Sequence, residues 1–223
     1  MQGAVAIFVK TVGLSPLKTR LAKTIGVANA EDFHLAATRC VAAATKGLSL
    51  NADVDAYYAV AEKEALTSKS WQDLPCVWQG EGGLGERMRT IYQQLLIKYD
   101  FVLLIGADIP QMEVSELLKA SAYLDNRQGK KLVYGPSADG GFWLFGSNFV
   151  IPEAIWTDVI YSQPETGEHF LNAIQPLADL KMLGTLRDVD EVADLKALQA
   201  SLLALAAPSE EQNQLSHFLQ TII

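Results

Sequence analysis

Not one Asp or Glu stands among the first thirty residues of this chain, although acids outnumber bases 26 to 18 over its 223 residues and leave a formal net charge of −8. Cysteine is scarce too. Cys40 and Cys76 are far apart, which excludes a disulfide framework or a Cys-based metal motif and leaves buried thiols as the expectation. Long hydrophobic runs are missing: the longest, such as Leu202 to Ala207, reach six residues, far short of a membrane span. No basic leader precedes the first apolar strand, so a cytoplasmic protein is expected. An isoelectric point near 4.9 leaves no broad basic face for nucleic acid. Internal repeats, low-complexity tracts and linkers are also absent, so residues 1–223 read as one domain.

What is present is an alternation. Strand-like runs at Ala4 to Val9, Val54 to Val60, Val77 to Gln79, Phe101 to Ile105, Leu132 to Tyr134 and Phe142 to Phe145 are separated by helical patterns. Continuous apolar runs of this length mark strands covered on both faces. Ser15-Pro16 reads as a helix start with Gly26 as its stop, and a second helix fits Glu31 to Lys46, ended by Gly47. Further helices fit 86–99, 114–125, 165–178 and 191–206. The pattern predicts an α/β fold, a doubly wound and mostly parallel sheet with ligands beyond the carboxyl ends of its strands. The apolar stretches 195–207 and 215–223 suit either a packed helix pair or a homodimer face.

The acid-free start carries Lys10 at the end of the first strand, with Lys18, Arg20 and Lys23 following. A basic patch on one strand-to-helix turn of an acidic chain suits a small, multiply charged anion such as a nucleotide's phosphates. A solvated basic helix face is the plainer alternative. The loop is neither a Walker A motif nor a dinucleotide fingerprint, because Gly13 stands alone. Gln79-Gly-Glu-Gly-Gly-Leu-Gly85 gives a second flexible turn. Arg87, in the first turn of the following helix, opposes the helix dipole, as a residue serving an anion would.

Phe101 to Ile105 ends in Gly-Ala-Asp108, a carboxylate at the sheet's carboxyl edge where a divalent cation needs oxygen ligands. Five residues, Pro110 among them, separate Asp108 from the next helix, which argues against a capping role. Asp139-Gly140-Gly141 joins two strands, either as a plain hairpin turn or as the wall of a substrate pocket. Leu186-Arg-Asp188-Val-Asp190 meets a helix, with Asp190 suited to its N-cap and Asp188 the freer acid, though either could reach a metal. His34, His169 and His217 are scattered, and no nucleophile elbow is present.

These segments, taken in order, resemble a bacterial family of GT-A-type proteins assigned as glycosyltransferases, some linked to arsenosugar biosynthesis. The resemblance rests on residues 8–11 and 18–22, Gln79 to Met88, Leu103 to Asp108, Gly135 to Gly141 and Leu186 to Asp190. It implies a nucleotide-diphospho-sugar transferase fold, shared with guanylyltransferases similar in the first loop and acidic strand end. This chain has Val12, Ser15 and Ala107 where the family often has Pro, Gly and Ser, and Asp108 stands without a second acid two residues away.

The resulting expectation is a transferase that uses Mg²⁺ or Mn²⁺. Asp108, Asp188 and Asp190 are the candidate ligands, and Lys10, Lys18, Arg20, Gln79 and Arg87 the candidate nucleotide and phosphate contacts. Asp139, with Asp108, is a candidate catalytic residue, and Gly140 and Gly141 face sugar or acceptor. A glycosyltransferase with a nucleotide-sugar donor and a small-molecule acceptor leads. Nucleotidyl transfer from a nucleoside triphosphate is the second reading, and a nucleotide-binding protein without catalysis the third.

Overall fold

The computed structural model describes residues 1–125 and 128–223. Strands β1 (Gly3–Val9), β2 (Val54–Val60), β3 (Cys76–Trp78), β4 (Phe101–Gly106), β5 (Lys131–Pro136), β6 (Phe142–Ser147) and β7 (Asp179–Met182) form a seven-stranded sheet. Helices α1 (Thr19–Ile25), α2 (Val27–Asn51), α3 (Leu84–Leu96), α4 (Val114–Leu124), α5 (Glu153–Thr157), α6 (Thr166–Ile174), α7 (Val192–Leu203) and α8 (Glu210–Ile222) surround it. The strand order is β3-β2-β1-β4-β6-β5-β7, and only β6 runs against its neighbours. The expected α/β, mostly parallel architecture is what the chain adopts.

Alternation along β1 builds both cores. Val5, Ile7 and Val9 face one side, where Val41, Leu48 and Leu117 from α2 and α4 cover them. Ala4 and Ala6 face the other, beneath Met88, Ile91, Trp156 and Phe170. A third cluster joins Leu21, Phe33 and Ala37 to Leu195, Leu198, Leu215 and Leu219, so the two C-terminal helices pack on α1 and α2. That is the packed-pair reading of the apolar C-terminal stretches. Among the described residues, no helix is long and apolar enough to cross a membrane.

Several boundaries differ from expectation, each for a physical reason. Ser15-Pro16 does not start α1. The chain is held in a turn there by Leu14 N and Ser15 N donating to Thr11 O, and α1 begins at Thr19 after Lys18. Gly26 does end α1, at φ 85°, but α2 follows at once. Gly47 does not stop α2; a Cβ there would lie 2.8 Å from Val114 Cγ2, so glycine serves the approach of α4. The expected helix over 165–178 ends as an α-helix at Ile174, tightens into a 3₁₀ turn over Gln175–Leu177 and gives way to β7, a short edge strand whose polar alternation hid it.

Candidate functional site

The sheet's topology brings the charged segments together. From β1 the chain passes to β2 and β3 on one side, then returns to β4 on the other, so the order reverses between β1 and β4. Crevices at such a reversal, beyond the carboxyl ends of parallel strands, bind ligands. Lys10 follows β1 and Asp108 follows β4. The β5–β6 hairpin turns at residues 137–141, so the hairpin and site readings of Asp139 are compatible. Beyond β7 the chain stays beside β5 through Leu183 N to Tyr134 O (2.8 Å), Leu186 N to Pro136 O (3.1 Å) and Ala138 N to Leu186 O (2.9 Å), which delivers residues 187–190 to the same edge.

Asp108, Asp188 and Asp190 converge there, each offering a carboxylate oxygen within 4.8 Å of the others. Lys18 lies among them. Its Nζ is 2.7 Å from Asp108 Oδ2 and 3.0 Å from Asp190 Oδ1, and its side chain is only 8% exposed. Burial pushes the Lys18 pKa down, but the two carboxylates outweigh it and hold the ammonium above its usual value. Burial likewise pushes Asp108 up, and Lys18 more than reverses this. Asp188 makes no direct contact with a base among the described residues, and the charge of Lys18 offsets its surroundings only in small part. Burial, then the charges of Asp139, Asp108 and Asp190, push its carboxyl up to about 7. It makes no hydrogen bond or ion pair with the described residues.

Asp190 is not the cap of α7. Glu191 holds that position, and Asp194 Oδ2 accepts the N–H groups of Asp190 (3.1 Å) and Glu191 (3.0 Å). The Asp190 carboxylate is thereby free for Lys18 and for Arg20 Nη2, at 2.5 Å. Arg20 Nη1 also reaches Glu191 Oε1, at 3.4 Å. Two of the bases expected to hold phosphate therefore hold the acids expected to ligate metal. Lys10 is exposed and its ammonium is unpaired among the described residues.

Gln79 and Arg87 each hold backbone carbonyls. Gln79 is buried and donates from Nε2 to Ala59 O (2.7 Å) and Val9 O (3.3 Å), tying the ends of β1 and β2. Arg87 donates from Nε to Gly82 O at 2.9 Å and so braces its own loop. Asp139 Oδ1 accepts from Gly141 N at 2.9 Å, and its residue is exposed, near enough to Asp188 to act on its carboxyl. Gly140, at φ 91°, packs its Cα face against Pro164 O and accepts from Gly167 N at 2.8 Å.

Three supporting residues were not foreseen. Gln111 donates from Nε2 to Arg187 O at 2.6 Å and anchors the Asp188 segment. Glu62 accepts from Thr11 N at 3.0 Å just past β2, while His34 pairs with Lys10 O at 3.0 Å. Position directly after a strand was the available signal for Glu62; nothing local marks Gln111. A groove of about 670 Å³ follows the first loop past Gly13, Ser15, Lys23 and Glu31, and none of the three acids borders it.

Comparison with known proteins agrees with this architecture. A candidate nucleotide-diphospho-sugar transferase from Desulfovibrio desulfuricans G20 matches at a TM-score of 0.83 and 20% identity, over 100% of this chain and 99% of that one. A 4-diphosphocytidyl-2C-methyl-D-erythritol synthase from Anaerococcus prevotii DSM 20548 matches at 0.55 and 9%, over 98% and 96%. A CMP:2-keto-3-deoxy-manno-octonic acid synthetase in complex with CTP matches at 0.54 and 9%, over 91% and 99%. At these identities the likeness establishes the fold. No curated protein matches the chain. Residues 40–163, more than half of the chain, match the family described as uncharacterized protein conserved in bacteria (DUF2064), a span holding Gln79, Asp108 and Asp139 but ending before Asp188. The chain is thus a member of that bacterial family, on the fold of a nucleotide-diphospho-sugar transferase.

Proposed function

We propose that this chain is a metal-dependent glycosyltransferase taking a nucleotide-diphospho-sugar donor. The observation that carries the reading is the convergence of Asp108, Asp188 and Asp190 with Lys18 and Arg20 at the sheet's topological reversal. Three hard carboxylate oxygens within 4.8 Å of one another suit Mg²⁺ or Mn²⁺. When bound, such an ion supplies positive charge against the developing charge of the departing diphosphate.

The chain's own groups do the rest. Lys10, Lys18 and Arg20 grip phosphate oxygens, Lys as point charges and Arg as a fork. Gly141 lets the backbone lie close to the sugar or acceptor, while Gly140, closed over by Pro164 O, holds the turn that presents it. The exposed Asp139 carboxylate takes the acceptor hydroxyl's proton as that oxygen bonds to the anomeric carbon, while the bond from this carbon to the phosphate oxygen breaks and its electron pair leaves with the nucleoside diphosphate.

Nucleotidyl transfer is the second reading. It is favoured by Lys18 and Arg20, which are spaced to grip a triphosphate, and by the likeness to the synthetase solved with CTP. The discriminating experiment incubates the protein and Mn²⁺ with panels of nucleotide sugars and of nucleoside triphosphates plus sugar phosphates. Release of nucleoside diphosphate from a nucleotide sugar supports glycosyl transfer. Release of pyrophosphate from a triphosphate supports the second reading. Nucleotide binding with no turnover, unchanged by Asp108→Asn, contradicts both.

A further inference from the structure

We infer that Lys18 is a resident counter-cation, which makes the acidic site reject a bare divalent ion and admit one only together with phosphate. The inference rests on the reading of Asp108, Asp188 and Asp190 as metal ligands. Lys18 Nζ holds two of those three carboxylates, at 2.7 and 3.0 Å. Of the three acids, Asp188 alone is unpaired among the described residues. An arriving ion would therefore meet one carboxylate without a partner among the described residues and an ammonium of its own sign holding the other two.

The ammonium cannot leave freely. With 8% of its side chain exposed, Lys18 would give up two ion pairs for a site where an uncompensated cation is costly. A phosphate removes that obstacle, because a compact ammonium transfers readily from carboxylate to phosphate oxygen. The backbone agrees with a held residue: Lys18 sits at φ 41°, ψ 44°, a left-handed conformation uncommon outside glycine and asparagine. Arg20, more exposed and shared between Asp190 and Glu191, would follow the same exchange.

Metal and phosphate then bind with positive coupling, each raising the other's affinity by the same factor. The device selects for the metal–polyphosphate complex over either part, and it keeps two of the three neighbouring carboxylates paired.

Equilibrium dialysis of Mn²⁺ tests this, with and without inorganic pyrophosphate, on the full chain and on Lys18→Asn and Lys18→Gly. Both replacements remove the ammonium and suit the left-handed backbone, and thermal melts confirm that they fold. Bare Mn²⁺ is expected to bind both variants at least tenfold more tightly than the parent. Pyrophosphate should raise protein-bound Mn²⁺ at least tenfold in the parent and much less in the variants. Equal affinity for bare Mn²⁺ in parent and variants would overturn the counter-cation role and leave the metal site standing. Absence of bound Mn²⁺ from all three proteins, with pyrophosphate or without, would overturn both.

Discussion

Lys18 Nζ lies 2.7 Å from Asp108 Oδ2, although the residues are 90 apart in sequence and follow different strands. The pair spans the point where the sheet's strand order reverses, so one contact joins the basic loop to the acidic edge. Replacing Asp108 by Asn leaves a buried ammonium with Asp190 alone. The variant should lose about 1–2 kcal/mol of stability, below the cost of fully breaking a buried pair because the second acid remains. Its Mn²⁺-dependent nucleotide affinity should fall at least about tenfold. Denaturant melts and calorimetric titration measure the two effects separately.

Asp188 has a pH signature of its own. Its carboxyl is pushed from the ordinary 3.8 up to about 7, so between those values the folded chain keeps a proton that the unfolded chain has released. Its contribution to stability therefore declines as pH rises through that window, and the penalty is complete above 7. Full linkage would be about 1.4 kcal/mol per pH unit, and partial exposure reduces the expected total to about 1–2 kcal/mol. Asp188→Asn should match the parent near pH 4 and exceed it by that amount at pH 8, without metal. A variant that melts lower than the parent at pH 8 would contradict the argument.

Gly140 fixes the turn that carries Asp139. Its φ is 91°, and an added Cβ would collide with Pro164 O. Gly140→Ala should cost at least about 2 kcal/mol, seen as a melting point lowered by about 4–8 °C. Gly141→Ala should cost less, since its Cβ would meet only the Asp139 carboxylate, at 3.2 Å. Thermal denaturation of the two variants side by side checks the contrast.

Two arginines chosen from sequence should now behave differently. Arg20 is 60% exposed and paired at the acidic edge, so Arg20→Ala should change stability by less than about 1 kcal/mol. It should weaken nucleotide diphosphate binding about tenfold, the value of one lost charged contact. Arg87 contacts none of the three acids among the described residues and braces its own loop through Gly82 O, so Arg87→Ala should change that affinity less than about threefold. Calorimetric titration of both variants with the same nucleotide is the measurement.

Much of this could be read from residue order, because the decisive signals were local. Apolar runs such as Phe101 to Ile105 announced buried strands, and an acid directly after one announced the edge of the sheet. The failures came where distant partners overruled local preference. Ser15-Pro16 has the chemistry of a helix start, yet Lys18, held by two acids from other segments, sets where α1 begins. Gly47 has the chemistry of a stop, yet Val114 of α4 needs it inside α2. Asp190 looked like a cap, and Asp194, four residues on, supplies the capping carboxylate instead. Gln79 and Arg87 were legible as polar residues in a glycine loop, but their use by backbone carbonyls was not. Lys18's place between Asp108 and Asp190 needs three segments at once.

The central claim is that one edge of this sheet binds a divalent ion and a nucleotide diphosphate together. Thermal shift with ADP, GDP, CDP, UDP and dTDP, each with and without Mn²⁺, tests it most directly. The account predicts that at least one diphosphate raises the melting point only when Mn²⁺ is present, and that Asp108→Asn removes the rise. A ligand at about a hundred times its dissociation constant adds about 2.7 kcal/mol, well within reach of detection. A panel without Mn²⁺-dependent stabilisation, or a rise that survives in Asp108→Asn, would contradict it.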